Sequence, residues 1–422
     1  MQFLLDNKDG LSPAKVEDLI VRHIQSHPDW KSVLLLPPDI TRFHSGAGPI
    51  TAYYYRELTA RGVSVRVMPA LGTHVPMTRA EQLRMFGDGI PEEAFLVHDF
   101  RKSIEEIGVV PADVMEKISN GLFTEEVHVS VNRELFSGRY DAILSIGQVI
   151  SHEIAGMASY TKNIVVGCGG GEMINVSHFL GVFYGLEKLL GVDHNPVRDL
   201  FDYVQTNMLD GRVPLTFIQT VMLQEEGVDT YRGVFISRDR SAYEDAVALC
   251  QQVNFNYVEK PIHKCVVWMD PESYHSTWVT NKAIYRTQLA VEQGGEIIII
   301  APGVRMFGEN DLADGIIRKY GYLPRETVLE MRKTDETLAK NLSMAGHLIH
   351  GAPDGIRVTY CTDLLSREEV EHAHFAYMSV EEALTKYPCQ EWKTGWKTLD
   401  NGEEIYFVRN AALGMWRCKG LY

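Results

Sequence analysis

Short apolar runs rich in β-branched residues, each closed by Pro, Gly or Asp, recur along the chain between amphipathic stretches. SVLLLPPD (32–39), VSVRVMPAL (63–71), DAILSIG (141–147) and KNIVVG (162–167) read as buried strands of a largely parallel sheet. Strands covered on both faces need no polar alternation, which is why their pattern is a continuous apolar run. Between the first two lies ITAYYYRELTARG (50–62), whose length and terminal Gly suit a crossover helix. Strand, helix, strand is the βαβ unit, in which ligands gather at the carboxyl ends of the strands.

A second set opens near Lys264. KCVVWMD (264–270) and EIIIIAPG (296–303) read as strands, and NKAIYRTQLAVEQGG (281–295) between them as a helix. The polar segment NYVEKPIHK (256–264) precedes this set and marks a boundary, dividing the chain into domains 1–260 and 261–422. With 422 residues the chain exceeds one ordinary core. The expected fold class is α/β, with two α/β domains, largely parallel sheets and an active-site cleft between them.

Composition narrows the function classes. A formal charge of −15, with no long basic or aromatic-interleaved stretch, argues against nucleic acid as a partner. No apolar run approaches the ~18 residues of a membrane span, and the start MQFLLDNKDG lacks the basic and apolar regions of a secretory signal, so a cytoplasmic location is expected. Six cysteines form no CxxC pair, which argues against a zinc ribbon and against a disulfide framework. Nothing in the sequence fixes an oligomeric state.

The candidate chemistry sits where strands end. PPDITR (37–42) places Asp39 and Arg42 just after the first strand, an Arg being suited to bidentate phosphate binding and an Asp to accepting from sugar hydroxyls. From position alone, a helix cap and a solvated Arg account for them equally well. ALGTHVPMT (70–78) puts His74 at the next strand end, and a parallel sheet would bring it beside Arg42. His152 follows DAILSIG, with Lys162 ten residues later, His178 sixteen beyond that, and the run GCGGG (167–171) in between. Histidine titrates near neutrality and is the natural proton carrier, although any single His is more often structural. The glycine run does not match the dinucleotide fingerprint, and HExxH, HxH and facial-triad spacings are lacking. Other ligands of a metal on His178 would have to come from distant residues or an organic cofactor.

DxTR, then GTH, then a His followed by Lys and a further His at these spacings resembles the nickel-pincer-dependent lactate racemase family, in motif order from Asp39 to His178. The resemblance implies that domain 1–260 binds a nickel-pincer nucleotide and that domain 261–422 closes the substrate cleft. Asp39, Thr41 and Arg42 would hold the nucleotide, Lys162 would carry the cofactor covalently through a thioamide, and His178 would ligate nickel, with His74 and His152 as acid and base. One His takes the hydroxyl proton as hydride leaves the α-carbon of a 2-hydroxy acid, the keto acid reorients, and the second His serves the other enantiomer. The implied partners are a small 2-hydroxy acid and the host enzymes that make the cofactor.

Departures from the family pattern bear on substrate. Val75 follows His74 where the family has Arg, and Ala158, Ser159 and Tyr160 replace a Gly-rich turn before the lysine. Tyr285 and Arg286 stand where lactate-type relatives carry Tyr-Gln, and Leu289 where they carry Lys. Arg286 suits a second carboxylate or several hydroxyls better than a methyl group, so Tyr285 and Arg286 are expected to bind malate or a sugar acid rather than lactate. Two other readings are a cofactor-free homologue binding an organic acid or nucleotide, and an NAD-dependent dehydrogenase, which the missing fingerprint disfavours.

Overall fold

The computed structural model describes residues 2–225, 228–411 and 414–421. The chain falls into two compact units, Met1–Tyr184 with Lys188–Val253, and Gly185–Glu187 with Asn254–Tyr422.

The first unit is built on a six-stranded sheet in the order Phe3–Leu11, Val228–Ser237, Leu215–Glu225, Ala142–Gln148, Ser32–Leu36, Ser64–Val67. The last four run parallel to one another, and Val228–Ser237 is antiparallel to both its neighbours. Residues Val33 to Leu36 are wholly inaccessible, the covered-on-both-faces condition that their unbroken apolar run predicts. Helix Ala47–Ala60 buries Ile50, Tyr54 and Leu58 on one stripe, and helix Pro13–Gln25 buries Val16, Leu19, Ile20 and Ile24 in the same core. His23, on this second helix, is a core histidine: its Nδ1 lies 2.8 Å from Tyr54 Oη, and burial pushes its pKa down to about 3.

In the second unit the sheet order is Ala376–Met378, Arg357–Cys361, Val291–Ile300, Ile262–Trp268, Glu404–Val408, Gly395–Thr398. All pairings are parallel except that of the last strand. Both units are thus α/β with mostly parallel sheets.

Two predicted elements differ. KNIVVG is not a strand: Thr161–Val165 is a short helix, with Val166 N–H donating to Lys162 O at 3.0 Å. Its β-branched residues suggested a strand, but the turn before it aims the chain back along the sheet, where Ile164 and Val165 bury as helical side chains. The helix expected over 281–295 is Lys282–Thr287, followed by a 3-10 turn, Gln288–Ala290, and a strand that already begins at Val291. The apolar residues Leu289 to Val291 fit the last turn of a helix as well as the start of a strand, and the pattern alone does not separate the two.

Candidate functional site

Strand Ser32–Leu36 lies between Ser64–Val67 and Ala142–Gln148, parallel to both. The segments leaving their carboxyl ends therefore emerge side by side: Asp39 to Arg42 from the central strand, His74 from one neighbour, His152 from the other. A bridge between Pro38 and Ala70 carries the pairing beyond the strands proper. His152 sits in a tight hairpin, Ser151–His152 against Gly156–Met157.

The hydrogen-bond partners of three histidines fix where each ring carries its proton. Asp39, 4% exposed, caps the 3-10 turn Ile40–Ser45: its Oδ1 accepts from Thr41 N–H at 3.2 Å and from Thr41 Oγ1–H at 2.5 Å. Its Oδ2 lies 2.6 Å from His74 Nδ1. Burial works to raise the Asp39 pKa, but the bonds from His74 and Thr41 outweigh it and hold the carboxyl below its ordinary value. An ionised carboxylate only accepts, so His74 Nδ1 donates and Nε2 is the ring nitrogen turned away from Asp39. The His74 side chain is 56% exposed, which leaves that nitrogen within reach of a ligand.

His178, on helix Gly171–Tyr184, donates Nδ1–H to Ile174 O at 2.6 Å, leaving Nε2 with the lone pair. Burial, partly opposed by that bond and reinforced by Lys162, brings its pKa to about 4. A ring held by a carbonyl on one nitrogen and neutral at physiological pH is the usual state of a metal-ligating histidine. His152 is the opposite case. Its Nδ1 accepts from the backbone N–H of Ile154 at 3.1 Å and of Ala155 at 3.4 Å, so the proton of its neutral ring is on Nε2. Burial lowers its pKa well below the ordinary value, with a further push from Lys162.

Lys162, in the first turn of its helix, has a pKa brought down to about 8 by burial and by Arg42. Its amine is neutral far more often than a surface lysine's, the state needed to form an amide-type bond. Arg42 and Glu153 both act on Lys162 and His152, so these groups share one electrostatic neighbourhood. Thr41 and Arg42 themselves are exposed.

The turn that presents Lys162 is strained. Ser159 and Tyr160 have φ of 69° and 57°, and Tyr160, with ψ of −139°, lies near a region adopted almost only by glycine. The glycine-type backbone is kept without the glycines. Tyr160 is pinned there, its ring 4.3 Å from Phe217 and stacked at 5.0 Å on Tyr243, its hydroxyl donating to Arg238 O at 3.2 Å. Fully buried Arg198 donates Nη2–H to Met157 O at 2.7 Å and to Tyr243 Oη at 2.9 Å, while Tyr243 Oη–H donates to Ala158 O at 3.1 Å. Nothing in the sequence ties Arg198 and Tyr243 to a turn 41 to 85 residues away, and Glu153 beside His152 has the pattern of an ordinary surface carboxylate. Ser159→Gly is expected to relieve the left-handed strain net of glycine's entropy, stabilising the fold by about 1 kcal/mol; a urea midpoint that moves up with unchanged slope is the check.

The GCGGG run has a packing role. A Cβ at Gly169 would overlap Val165 O, and one at Gly167 would come 2.5 Å from Asn163 O and 2.8 Å from Ala70 Cβ, so these glycines let the chain double back on its own helix. Among the described residues Asp193, His194 and Glu244 cluster closely enough to suggest a cation, but Arg240 Nη1 stands 2.9 Å from Asp193 and 3.7 Å from Glu244. His178 belongs to no such protein-only cluster among the described residues.

In the second unit Tyr285 and Arg286 are 3% and 4% exposed, on helix Lys282–Thr287, and Leu289 is buried. Tyr285 adjoins a ring cluster that the sequence did not announce: His350 at 5.8 Å from Tyr285, His347 at 5.4 Å from His350, and Trp278 stacked 3.3 Å from His347. The two histidines come from one face of helix Leu342–His350, three residues apart.

No described helix is long and apolar enough to cross a membrane, and all six cysteines are buried free thiols. No curated protein matches the chain significantly in sequence. Among solved structures, a protein from Thermotoga maritima is similar over 98% of this chain and 100% of its own, at 24% identity and a TM-score of 0.83. The lactate racemase apoprotein from Thermoanaerobacterium thermosaccharolyticum is similar over 95% of this chain and 92% of its own, at 17% identity and a TM-score of 0.71. The family described as lactate racemase N-terminal domain matches residues 25–188, the stretch holding every strand-end residue above from Asp39 to His178. Residues 25–188 thus match the family of lactate racemase N-terminal domains, and the chain as a whole shares its fold with a lactate racemase apoprotein.

Proposed function

We propose that the chain is a racemase or epimerase that inverts C2 of a 2-hydroxy acid, with a nickel-pincer nucleotide held by Lys162 and His178. One observation carries this reading. Three neighbouring strand ends and the segment after them supply an imidazole with an accessible basic nitrogen backed by a carboxylate, a second neutral imidazole, a lysine near neutrality and a histidine set to ligate through Nε2. An ordinary hydrolase has no use for the last two.

The residues fit the group. Lys162 would offer a nucleophilic amine for covalent attachment, His178 Nε2 a neutral donor for nickel, and Thr41 and Arg42 exposed partners for a nucleotide phosphate. When bound, the nucleotide supplies a reversible acceptor for the hydride of the α-carbon. His74 takes the substrate hydroxyl proton on Nε2, and Asp39 stabilises the imidazolium that results. The buried Asp39 carboxylate is turned toward His74 and Thr41, and this support of His74 is the role assigned to it here in place of nucleotide binding.

For the substrate, a polar acid such as malate or a sugar acid is favoured over lactate, with Tyr285 and Arg286 as its recognition residues. The buried guanidinium of Arg286 supports this, because charge-assisted hydrogen bonds out of water discriminate strongly for an anion or hydroxyls. Cofactor-loaded protein assayed against both enantiomers of lactate, malate and a panel of sugar acids tests it through kcat/KM. Arg286→Gln is expected to cost roughly 10- to 100-fold on the polar substrate and much less on lactate. Lactate as the best substrate of the unmodified protein would contradict the assignment.

A further inference from the structure

Arg198, on helix Pro196–Val204, is wholly buried, and among the described residues no carboxylate pairs with it. Two acids of the same region are committed elsewhere: Asp202, one turn along the helix, accepts from Arg240 Nε at 2.9 Å, and Asp193 accepts from Arg240 Nη1 at 2.9 Å. The guanidinium meets neutral groups instead. Its Nη2 donates to Met157 O and Tyr243 Oη, and the rings of Tyr243 and Phe201 stand 4.8 and 5.5 Å from its centre, while Nε and Nη1 are buried without a hydrogen-bond partner. Packing alone does not call for this, because an apolar side chain of similar volume would fill the space without the cost of desolvating a charge.

Its hydrogen bonds converge on one turn. Met157 O directly, and Ala158 O through Tyr243 Oη–H, are the carbonyls just before Ser159 and Tyr160, whose positive φ swings the chain into helix Thr161–Val165. Holding both carbonyls fixes the entry to the turn, and with it the direction in which Lys162 leaves the second position of that helix. Around the Lys162 amine, Arg42 and Arg198 oppose its charge and Glu153 and Asp39 favour it, with His152 and His178 in the same neighbourhood. We propose that Arg198 is a positioning residue for Lys162: it locks the left-handed turn that aims the amine, and its uncompensated charge keeps that amine free to act as a nucleophile. An ammonium has no electron pair to give, so a like charge held in a medium of low dielectric acts directly on the reactive fraction. The proposal rests on the reading of Lys162 as the cofactor's attachment point for its purpose, and on the apoprotein alone for its test.

Acetylation of the apoprotein by acetic anhydride, followed residue by residue in peptide mass spectra, separates the two effects. The amine's electron pair forms the N–C bond, acetate leaves, and the proton passes to water. The pH at which Lys162 labelling is half-maximal reads the charge of the amine, and the rate on the high-pH plateau reads its presentation, with exposed Lys340 as internal reference. The parent half-point is expected at about 8. In R198M, which removes the charge and its donors, the half-point should rise by roughly half a unit or more, and the plateau rate should move toward that of Lys340. R198K keeps the charge and should restore the half-point. Y243F loosens the turn at Ala158 and leaves Arg198 charged, so it should shift the plateau and not the half-point. R198Q takes the place of R198M should the methionine variant not fold. A folded uncharged variant with the parent's half-point or the parent's plateau overturns the proposal. So does a Y243F half-point as high as that of R198M, because the charge of Arg198 would then not be the cause. In protein made beside the cofactor-producing enzymes, R198M should carry less of the covalent mass increment than R198K. A parent without any increment defeats the attachment reading, and the labelling still decides the role of Arg198.

Discussion

Replacing Lys162 by alanine in protein made alongside the cofactor-producing enzymes is expected to abolish the covalent mass increment, the bound nickel and all turnover together. The three losses are linked because the lysine is the proposed attachment point, its amine pKa brought down to about 8 by burial and by Arg42. Intact-mass spectrometry and elemental analysis of parent and variant read the first two without reference to any substrate. An active parent of unmodified mass and without nickel would remove Lys162 from the chemistry altogether. Lys162→Arg serves as a control for charge: it keeps a cation beside Arg42 and Glu153 but cannot form the amide-type bond, so it should fail in the same way.

His74→Ala carries the second large expected effect, on the order of 10²- to 10⁴-fold in kcat/KM. Both directions of inversion must slow by the same factor, because a substitution in the enzyme leaves the equilibrium between the two hands unchanged. The decrease should come with the adduct and nickel intact, which separates proton transfer from cofactor loading. Asp39→Asn is expected to fall in the same range, since an amide in place of the carboxylate presents an N–H as readily as an oxygen and no longer dictates a proton on His74 Nδ1. Near-normal turnover in H74A would reassign this histidine as structural, like His23 with its ring in the core against Tyr54.

Much of this arrangement was legible in the sequence, for a physical reason. Parallel strands buried on both faces leave continuous apolar runs such as SVLLL and AILSIG, and residues just after such runs sit at the sheet's ligand-binding edge. His74, Arg42 and His152 could be placed together by that rule alone. What stayed hidden depends on contacts between distant residues. Asp39 and His74 are 35 positions apart, and either could have faced elsewhere. Arg198, to which no sequence motif points, is wholly buried and braces the turn before Lys162 through Met157 O and Tyr243. The strand expected at KNIVVG failed because Val165 and Ile164 are β-branched but bury on a helix, which only the preceding turn decides. Ser159 and Tyr160 were read as a departure from a glycine-rich turn, yet they adopt the positive φ such a turn requires, at a cost in strain. The surroundings of the histidines were also beyond the sequence: three rings of one composition meet a carboxylate, a carbonyl and a pair of backbone N–H groups.

The central claim, inversion at C2 by hydride removal and return, is tested most directly by the fate of one hydrogen. A single enantiomer of the preferred 2-hydroxy acid, deuterated at C2, is incubated in ordinary water with cofactor-loaded protein, and the product of opposite hand is isolated and weighed by mass spectrometry. The account predicts product that keeps its deuterium, because the atom leaves and returns without mixing with solvent. Product carrying hydrogen from water would mean proton abstraction at the α-carbon, and the account would be wrong.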